Sequence, residues 1–598
     1  MSEKLYGYNG KIAYLNLTNQ EVHIEDLNPQ IGKNYLGGTG LSAKITYDLL
    51  KDEDYKKLKD NPYFEKNPLI FATGPVTGTI RPSSGRYSVT GISPLTGIWG
   101  EGTSGGYFCI SLHKSGYDAL VLTGKSEEPV YIYIHDGKIE FKNASKLWGK
   151  DTYQLQEEIK KELENERIRI AGIGPAGENL VRYASIVNDD GRVVGRTGMG
   201  ALMGSKKLKA IAIHGLNKID LANPQLGKVL YQNYNEKMKE DFLALALHHV
   251  FNVYGTNCYL DIGMTQGDTP AYYFTENEFL AEKVTGKTIK EQFPQEIVGC
   301  AGCSLKCGKK TYIEIDGEQI IVDGPEYESV ASLGPTLGLF KPYPIIYTAH
   351  KFNIYGMDTI SGGVSIAFLI YLVENNLGID KIKEFLEDIE ITEISWGNED
   401  LISKLTDKIV KREGIGDILA HGVKKMAEVF EVDPELAAHV KGLEVPMHDP
   451  RAFEGQALTY ATCCIGANHE KGNWFAVEVG NFSYPRLRIK PGKGRFNIKG
   501  REKGVAALQD ISAINDSSVV CNFINPDFDD ILGYINSATG FDYDKRTLMR
   551  VGERIHNIKR VISCKLGITR QDDKIPGILK KPLSNGKTAV NFYIFNHF

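Results

Sequence analysis

The chain has 598 residues, 42% of them hydrophobic and 24% charged, enough length and apolar content to bury the cores of about three domains. A formal net charge of −5 leaves no basic excess for neutralising phosphates, which excludes a nucleic-acid partner. The N-terminus carries no basic-then-apolar signal region, and nine cysteines in such a chain point to a reducing, cytoplasmic setting where clustered thiols hold metals.

Residues 1–215 predict a β-rich domain. GKIAYLNL (10–17), NPLIFATG (67–74), RYSVTG (86–91), DALVLTG (118–124) and PVYIYIHDGKIEF (129–141) are short β-type runs, the last with an Asp-Gly hairpin turn. Glycine-rich joints separate them at LGGTG (36–40), GEGTSGGYF (100–108) and GRVVGRTGMGALMGS (191–205), where backbone amides can approach a ligand closely. One helix is predicted over about 151–167. Residues 216–437 form a mainly helical middle domain, with helical spacing in NPQLGKVLYQNYNEKMKEDF, 341–355, 363–375 and 400–430, and with loops holding a cysteine cluster. The apolar stretch VSIAFLIYLV (364–373) is about half a membrane span and reads as a buried helix, so no membrane partner is expected. Pro and Gly break the periodicity at VKGLEVPMHDPRAFEG (440–455), inside a third domain, 438–598, of mixed helices and loops that includes 501–520. The predicted class is α+β.

The cluster is VGCAGCSLKCGKK (298–310), in which Cys300, Cys303 and Cys307 form C-x2-C-x3-C. A short loop of this kind can supply three thiolates to one face of a cubic iron–sulfur cluster. Zinc ribbons instead present separated C-x2-C pairs, and coincidental core cysteines are the blander alternative. Spacing leaves the fourth ligand open among Cys109, Cys258, Cys463, Cys464, Cys521 and Cys564. RIRIAGIGPAGENLVRYASIV carries Gly172, Gly174 and Gly177 in G-x-G-x-x-G order. The next segment, LVRYASIV, alternates like a strand and meets Asp189 and Asp190 too soon, so a glycine-rich turn is predicted there and not a dinucleotide site.

The cysteine loop stands in order with SSGRYSVTGISPLTG (83–97), GIGPAGENLVRYASIVNDDGR (172–192), GALMGSKKLKAIA (200–212), GPEYESVASLGP (324–335) and DPRAFEGQALTYAT (449–462). Together, from about residue 5 to about residue 575, these motifs resemble the tungsten-dependent aldehyde:ferredoxin oxidoreductase family. The resemblance implies tungsten, or molybdenum, held between two pterins, with magnesium bridging their phosphates and a [4Fe–4S] cluster nearby. It makes the N-terminal domain the pterin platform, and Cys521, closing DSSVVC (516–521), the fourth ligand beside Cys300, Cys303 and Cys307. Asp516 and Val520 in that motif, and Asn353 and Asp358 in the companion NIYGMD, fall on pterin-binding positions. Arg86 matches an arginine between cluster and pterin; Thr103, Gly105, Arg192 and Val193 match phosphate- and magnesium-side positions; Lys471 matches a pterin-contacting lysine. Glu328 would orient or deprotonate the attacking water and His469 would protonate the substrate oxygen, in oxidation of an aldehyde to a carboxylic acid with electrons leaving to ferredoxin or an iron–sulfur subunit. Low-potential reduction of an acid or acyl-thioester, and a non-catalytic electron-relay subunit, are the alternatives.

The chain also departs from the pattern. Asn353 replaces the leading aspartate of one motif and Val519-Val520 replace Gly-Leu in the other. Tyr347 stands where some members carry the glutamate of a Glu-x-x-His interface-iron motif, so that iron and the usual dimer are not implied, and a homodimer or hetero-oligomer stays open. The tail, ending FYIFNHF, is short for the family. Cys463 and Cys464 are read as pocket lining, and Cys109, Cys258 and Cys564 as buried apolar residues.

Overall fold

The structure, a computed structural model, describes residues 4–588 except 190, 481–482, 492–493, 498 and 525–526; side chains of 242–244 are not described. Asp190 and the FYIFNHF tail lie outside the described residues.

Two six-stranded sheets occupy the N-terminal part. In spatial order the first runs Glu21–Asp26, Lys11–Asn16, Ala119–Thr123, Leu69–Ala72, Tyr87–Ile92, Trp99–Ser104; the second runs Arg192–Val194, Ile186–Asn188, Arg169–Gly172, Leu208–His214, Val130–His135, Lys138–Asn143. Alternation along each strand decides which residues meet. Leu69, Phe71, Leu120 and Leu122 face Ile132, Ile134, Ile211 and Ile213 in a core between the sheets. Their neighbours Ile70, Ala72, Ala119 and Val121 point the other way, onto Leu41 and Ile45. On the outside of the second sheet, Tyr131, Ala210 and Ala212 are covered by Leu155 and Ile159 of the helix Thr152–Glu162, which Asp151 caps. The edge strand Glu21–Asp26 is exposed along its length, and its charges discourage further pairing. The expected hairpin turns at Asp136 (φ 48°) and Gly137 (φ 72°), both left-handed as a tight two-residue turn requires.

LGGTG begins a helix, Gly38–Leu49, rather than only a joint; a side chain at Gly37 or Gly40 would overlap the Thr73 or Tyr35 carbonyl. Arg169–Gly172 is followed by a helix of only four residues, Pro175–Glu178, and then by the strand Ile186–Asn188, so the glycine-rich turn is found where a dinucleotide fold would need a long helix. Beyond residue 216 helices dominate: Pro224–Glu240, Pro342–Tyr355, Thr359–Glu374, Glu502–Ser518 and Lys545–Lys565. The helical pattern of 400–430 is three pieces, Glu399–Lys411, Ile415–Leu419 and Val423–Val429, interrupted at Gly414 and Gly422, both at positive φ. VSIAFLIYLV lies inside Thr359–Glu374, buried from Ile360 to Ile370, and among the described residues no helix is long and apolar enough to cross a membrane.

Two small sheets depart from the helical reading, the lesser being the pair His439–Val440 and Leu443–Glu444. The cysteine loop joins strands Gln295–Val298 and Gly308–Ile315, and Glu318–Asp323 completes a three-stranded antiparallel sheet through a second Asp-Gly turn, Asp316-Gly317.

Candidate active site

A cavity of about 570 Å³ lies where the N-terminal sheets, the three-stranded sheet and the C-terminal helices meet. Cys300, Cys303, Cys307 and Cys521 all line it. The loop that carries the first three is held down by the Ala301 N–H, which donates to the Gly106 carbonyl at 3.1 Å. Gly105 permits this approach, since a Cβ there would sit 2.5 Å from Cys300 Sγ, and a Cβ on Gly85 would overlap the Ala301 carbonyl. Cys521 arrives from the end of Glu502–Ser518. Its N–H donates to the Ser83 carbonyl at 3.0 Å, while the Ser83 hydroxyl lies 3.9 Å from Cys303 Sγ. One serine therefore ties the distant cysteine to the loop. Burial pushes the Cys521 thiol up to about 11 despite Arg86 nearby. A thiol so placed becomes a thiolate when a metal replaces its proton. Arg86 is anchored to Thr103 through Nε on the hydroxyl (3.2 Å) and a terminal nitrogen on the carbonyl (2.9 Å). Burial opposes its charge, but Cys521, Cys300, Glu470 and Cys307 outweigh burial and raise its pKa.

The acid–base groups share the same wall. Glu328 sits in the first turn of the helix Tyr327–Leu333. Its Oε2 accepts from the Met447 N–H at 2.9 Å, and its Oε1 lies 3.4 Å from His469 Nδ1. Oε1 and Nδ1 face each other, and each is buried without a hydrogen bond, so a ligand reaching this wall can supply one. His469 Nε2 lies 3.3 Å from Glu470. Burial alone would lower the imidazole pKa; Glu328 and Glu470 reverse this and raise it from 6.5. A third group joins them: His448, whose ligand-capable atom lies within 4.8 Å of those of Glu328 and His469.

Cationic side chains fill the remaining polar wall. Arg192 faces Asp323 at 3.7 Å and Glu326 at 3.6 Å, and these, chiefly Asp323, raise its pKa. A Cβ at Gly308 would overlap the Arg192 guanidinium, so a larger residue there would displace that side chain from its present place. Arg196 donates to Asp358 (3.2 Å) and to the carbonyls of Ala467 and Glu444 (2.8 Å each). Lys471 bridges Asp516 (2.6 Å) and Glu101 (3.0 Å). Such a wall suits a phosphate-bearing cofactor.

Of the residues singled out in the sequence, Arg86, Thr103, Gly105, Arg192, Val193, Glu328, His469, Lys471, Asp516, Val520 and the four cluster cysteines line the one cavity. Asn353 and Asp358 do not. Asn353 is held behind the wall near the Asp323 carbonyl (3.4 Å), and Asp358 is used as the cap of Thr359–Glu374, accepting from the Ile360 N–H (2.9 Å), Ser361 and Arg196. The two companion motifs share a local form: each lets a helix end in a left-handed residue, Gly356 (φ 74°) in NIYGMD and Val519 (φ 54°) in DSSVVC. Cys463 and Cys464 are pocket lining as expected, but of a small void beyond Lys471, with Glu101 and Lys559, that adjoins the main cavity. Cys258 lines the cavity and Cys564 is exposed, which corrects the reading of both as buried; Cys109 is buried. The sequence reading passed over His448, Arg196 and Glu470. His448 adjoins DPRAFEG and Glu470 follows His469, so each sat within a residue of a flagged feature.

The family models described as aldehyde ferredoxin oxidoreductase match this architecture in two parts: the N-terminal domain over residues 12–215, and domains 2 and 3 over residues 230–596. The chain is 36% identical over 590 residues to the tungsten-containing aldehyde ferredoxin oxidoreductase of Pyrococcus furiosus, covering 97% of this chain and 93% of that one. It is 29% identical to a protein of the same organism named aliphatic sulfonate oxidoreductase, WOR-like subunit, covering 97% and 91%. The fold is also that of the active-site complex BamBC of benzoyl coenzyme A reductase with 1,5-dienoyl-CoA, with a TM-score of 0.82, 24% identity and coverage of 96% and 92%. Matched along both parts and across nearly the full length of a relative, the chain belongs to the aldehyde ferredoxin oxidoreductase family.

Proposed function

We propose that this protein oxidises aldehydes to carboxylic acids, RCHO + H2O → RCOOH + 2H+ + 2e−, and passes the electrons singly to ferredoxin or a partner iron–sulfur subunit. The observation that supports it is the meeting in one cavity of four cysteines with the Glu328–His469 pair, with Arg86 close to the thiols. The donor set fits the groups that the family resemblance implies. Cys300, Cys303, Cys307 and Cys521 would hold a [4Fe–4S] cluster. Arg86, Thr103, Gly105, Arg192, Val193, Lys471, Asp516 and Val520 would hold the tungsten or molybdenum bis-pterin and its magnesium-bridged phosphates, with Asn353 and Asp358 supporting that wall from behind. When bound, these groups supply the two-electron redox chemistry and its division into single electrons.

The chain's own residues move the protons. Glu328 Oε1, which faces His469 Nδ1 at 3.4 Å and accepts no hydrogen bond within the chain, is placed to accept a proton from the attacking water, while the Met447 N–H holds its other oxygen. His469, whose protonated form Glu328 and Glu470 favour against burial, is placed to donate to the substrate oxygen as charge develops there. Leu247, Val250, Phe251, Val479 and Phe523 on the lining suit an apolar substrate body.

Anaerobically purified protein should contain about four irons and close to stoichiometric tungsten or molybdenum, and should reduce a viologen dye with apolar aldehydes. Full metal content without aldehyde turnover would favour acid or thioester reduction; absence of the heavy metal would leave only electron relay.

A further inference from the structure

His448 is the one member of the acid–base trio that the proposed chemistry does not use, and it is unusually well fixed. Its ring stacks on Phe475 at 3.9 Å between centroids and packs against Tyr259 and Tyr327, each at 5.2 Å. Nδ1 lies 2.6 Å from Asp268 Oδ2, and Nε2 lies 3.6 Å from Glu328 Oε1. Asp268 Oδ2 also accepts from the Tyr259 hydroxyl at 3.0 Å. Both Asp268 and His448 are buried, and Asp268 Oδ1 has no hydrogen-bond partner. A full carboxylate charge with one bare oxygen in such a place is costly; a neutral acid loses far less.

We propose that Asp268 and His448 are a positioning pair: a neutral Asp268 carboxyl donates to His448 Nδ1, and so fixes His448 Nε2–H as a donor aimed at Glu328 Oε1. Glu328 is then gripped as a carboxylate between two neutral donors, the Met447 N–H and His448 Nε2–H, and its lone pair is directed at the water it deprotonates. The titratable groups facing the ring are Asp268, Glu328, His469, Glu470, Tyr259 and Tyr327, with Asp449 and Arg495 acting on Asp268. Their balance agrees with the assignment. Burial drives the Asp268 carboxyl well above its usual range, and burial with His469 lowers His448 to about 3, so both shifts act in the direction of the neutral forms that the 2.6 Å contact and the bare Oδ1 call for. At 3.6 Å the two atoms are not yet hydrogen-bonded, and the positioning role requires the contact to tighten in the substrate complex, as catalytic contacts commonly do.

The opposite arrangement, a charged Asp268 accepting from Nδ1–H, makes a contrary forecast, so the two separate cleanly. In an infrared difference spectrum of wild type minus Asp268→Asn at neutral pH, a protonated-carboxyl band should be lost; no such band would overturn the proposal. This readout needs no turnover and stands even if the aldehyde reading fails. In turnover, Asp268→Ala should lower kcat about tenfold to a hundredfold with KM little changed. Asp268→Asn, whose amide can still donate to Nδ1, should restore most of that loss. An asparagine variant no better than alanine would overturn the proposal, since that is how a charged orienting aspartate behaves, where the wrong tautomer costs about 10⁴.

Discussion

At the residue scale, the pocket raises the proton affinity of a buried imidazole by surrounding it with carboxylates, which is what the proposed acid role of His469 requires. His469 has Glu328 on one nitrogen and Glu470 on the other, and burial, which alone would strip its proton, is outweighed. Glu470 is held near 2: burial raises it, and His469, Asn522 and Arg86 more than reverse that. A folded-state pKa raised above 6.5 has two consequences with the same sign. The protonated form is available for catalysis below that pKa, and its stabilising contribution, complete below 6.5, is lost as pH rises through the raised value. kcat should therefore fall on the alkaline side. Glu470→Gln removes one of the two charges responsible, so the alkaline limb of the kcat–pH profile should move to lower pH. A limb that stays in place would show that His469 is not the group titrating.

At the element scale, the cysteine loop depends on glycines that face it from another part of the chain. Gly105 follows the strand Trp99–Ser104, and its missing side chain is what lets Cys300 Sγ approach. Gly105→Ala should push the loop outward and lower the iron bound per chain, with only a small change in the thermal midpoint of the metal-free protein, because the sheet core lies elsewhere. Unchanged iron would mean that the loop yields freely. The same elements show what a sequence discloses. The N-terminal strands were legible because apolar residues on both faces alternate between two cores, as Leu69 and Phe71 do against Ile70 and Ala72. The three-stranded sheet around the cysteines was not, although Asp316-Gly317 is a hairpin signal; its outer strands keep Ile297 and Ile321 exposed, so apolar and buried do not coincide. Cysteine spacing singled out the loop but could not say which distant cysteine joins it at the cavity; Cys521 was named only by the family motif. His448 and Asp268 are 180 residues apart, and no local pattern links a buried carboxyl to a histidine at that range. Val519 shows a different limit. Its left-handed backbone is a place for glycine, and only the structure shows that this chain sets a buried β-branched residue there.

At the scale of the whole molecule, separately coded segments are held around the cavity by a buried charge network. Glu101, on the strand Trp99–Ser104, receives Lys471 from the loop after His469 (3.0 Å) and Lys559 from the helix Lys545–Lys565 (2.7 Å). Lys471 also reaches Asp516 on Glu502–Ser518, and Lys559 reaches Thr39 on Gly38–Leu49 at 2.8 Å. Two acidic and two basic side chains thus face one another in a largely buried cluster beside the cavity. Burial raises the Glu101 pKa, but Lys471 and Lys559 overcome it and hold the group near 2, so its stabilising contribution is present above 4.5 and fades as pH falls toward 2. Removing one member of such a network strands an opposite charge in the interior, which costs about 3–5 kcal/mol, whereas removing a matched pair does not. Glu101→Gln and Lys559→Met should each lower the apparent melting temperature markedly. The double variant, which leaves Lys471 facing Asp516 alone, should melt above either single. Strict additivity of the two losses would show that the charges are not coupled, and that the strand and the helix are joined by packing instead.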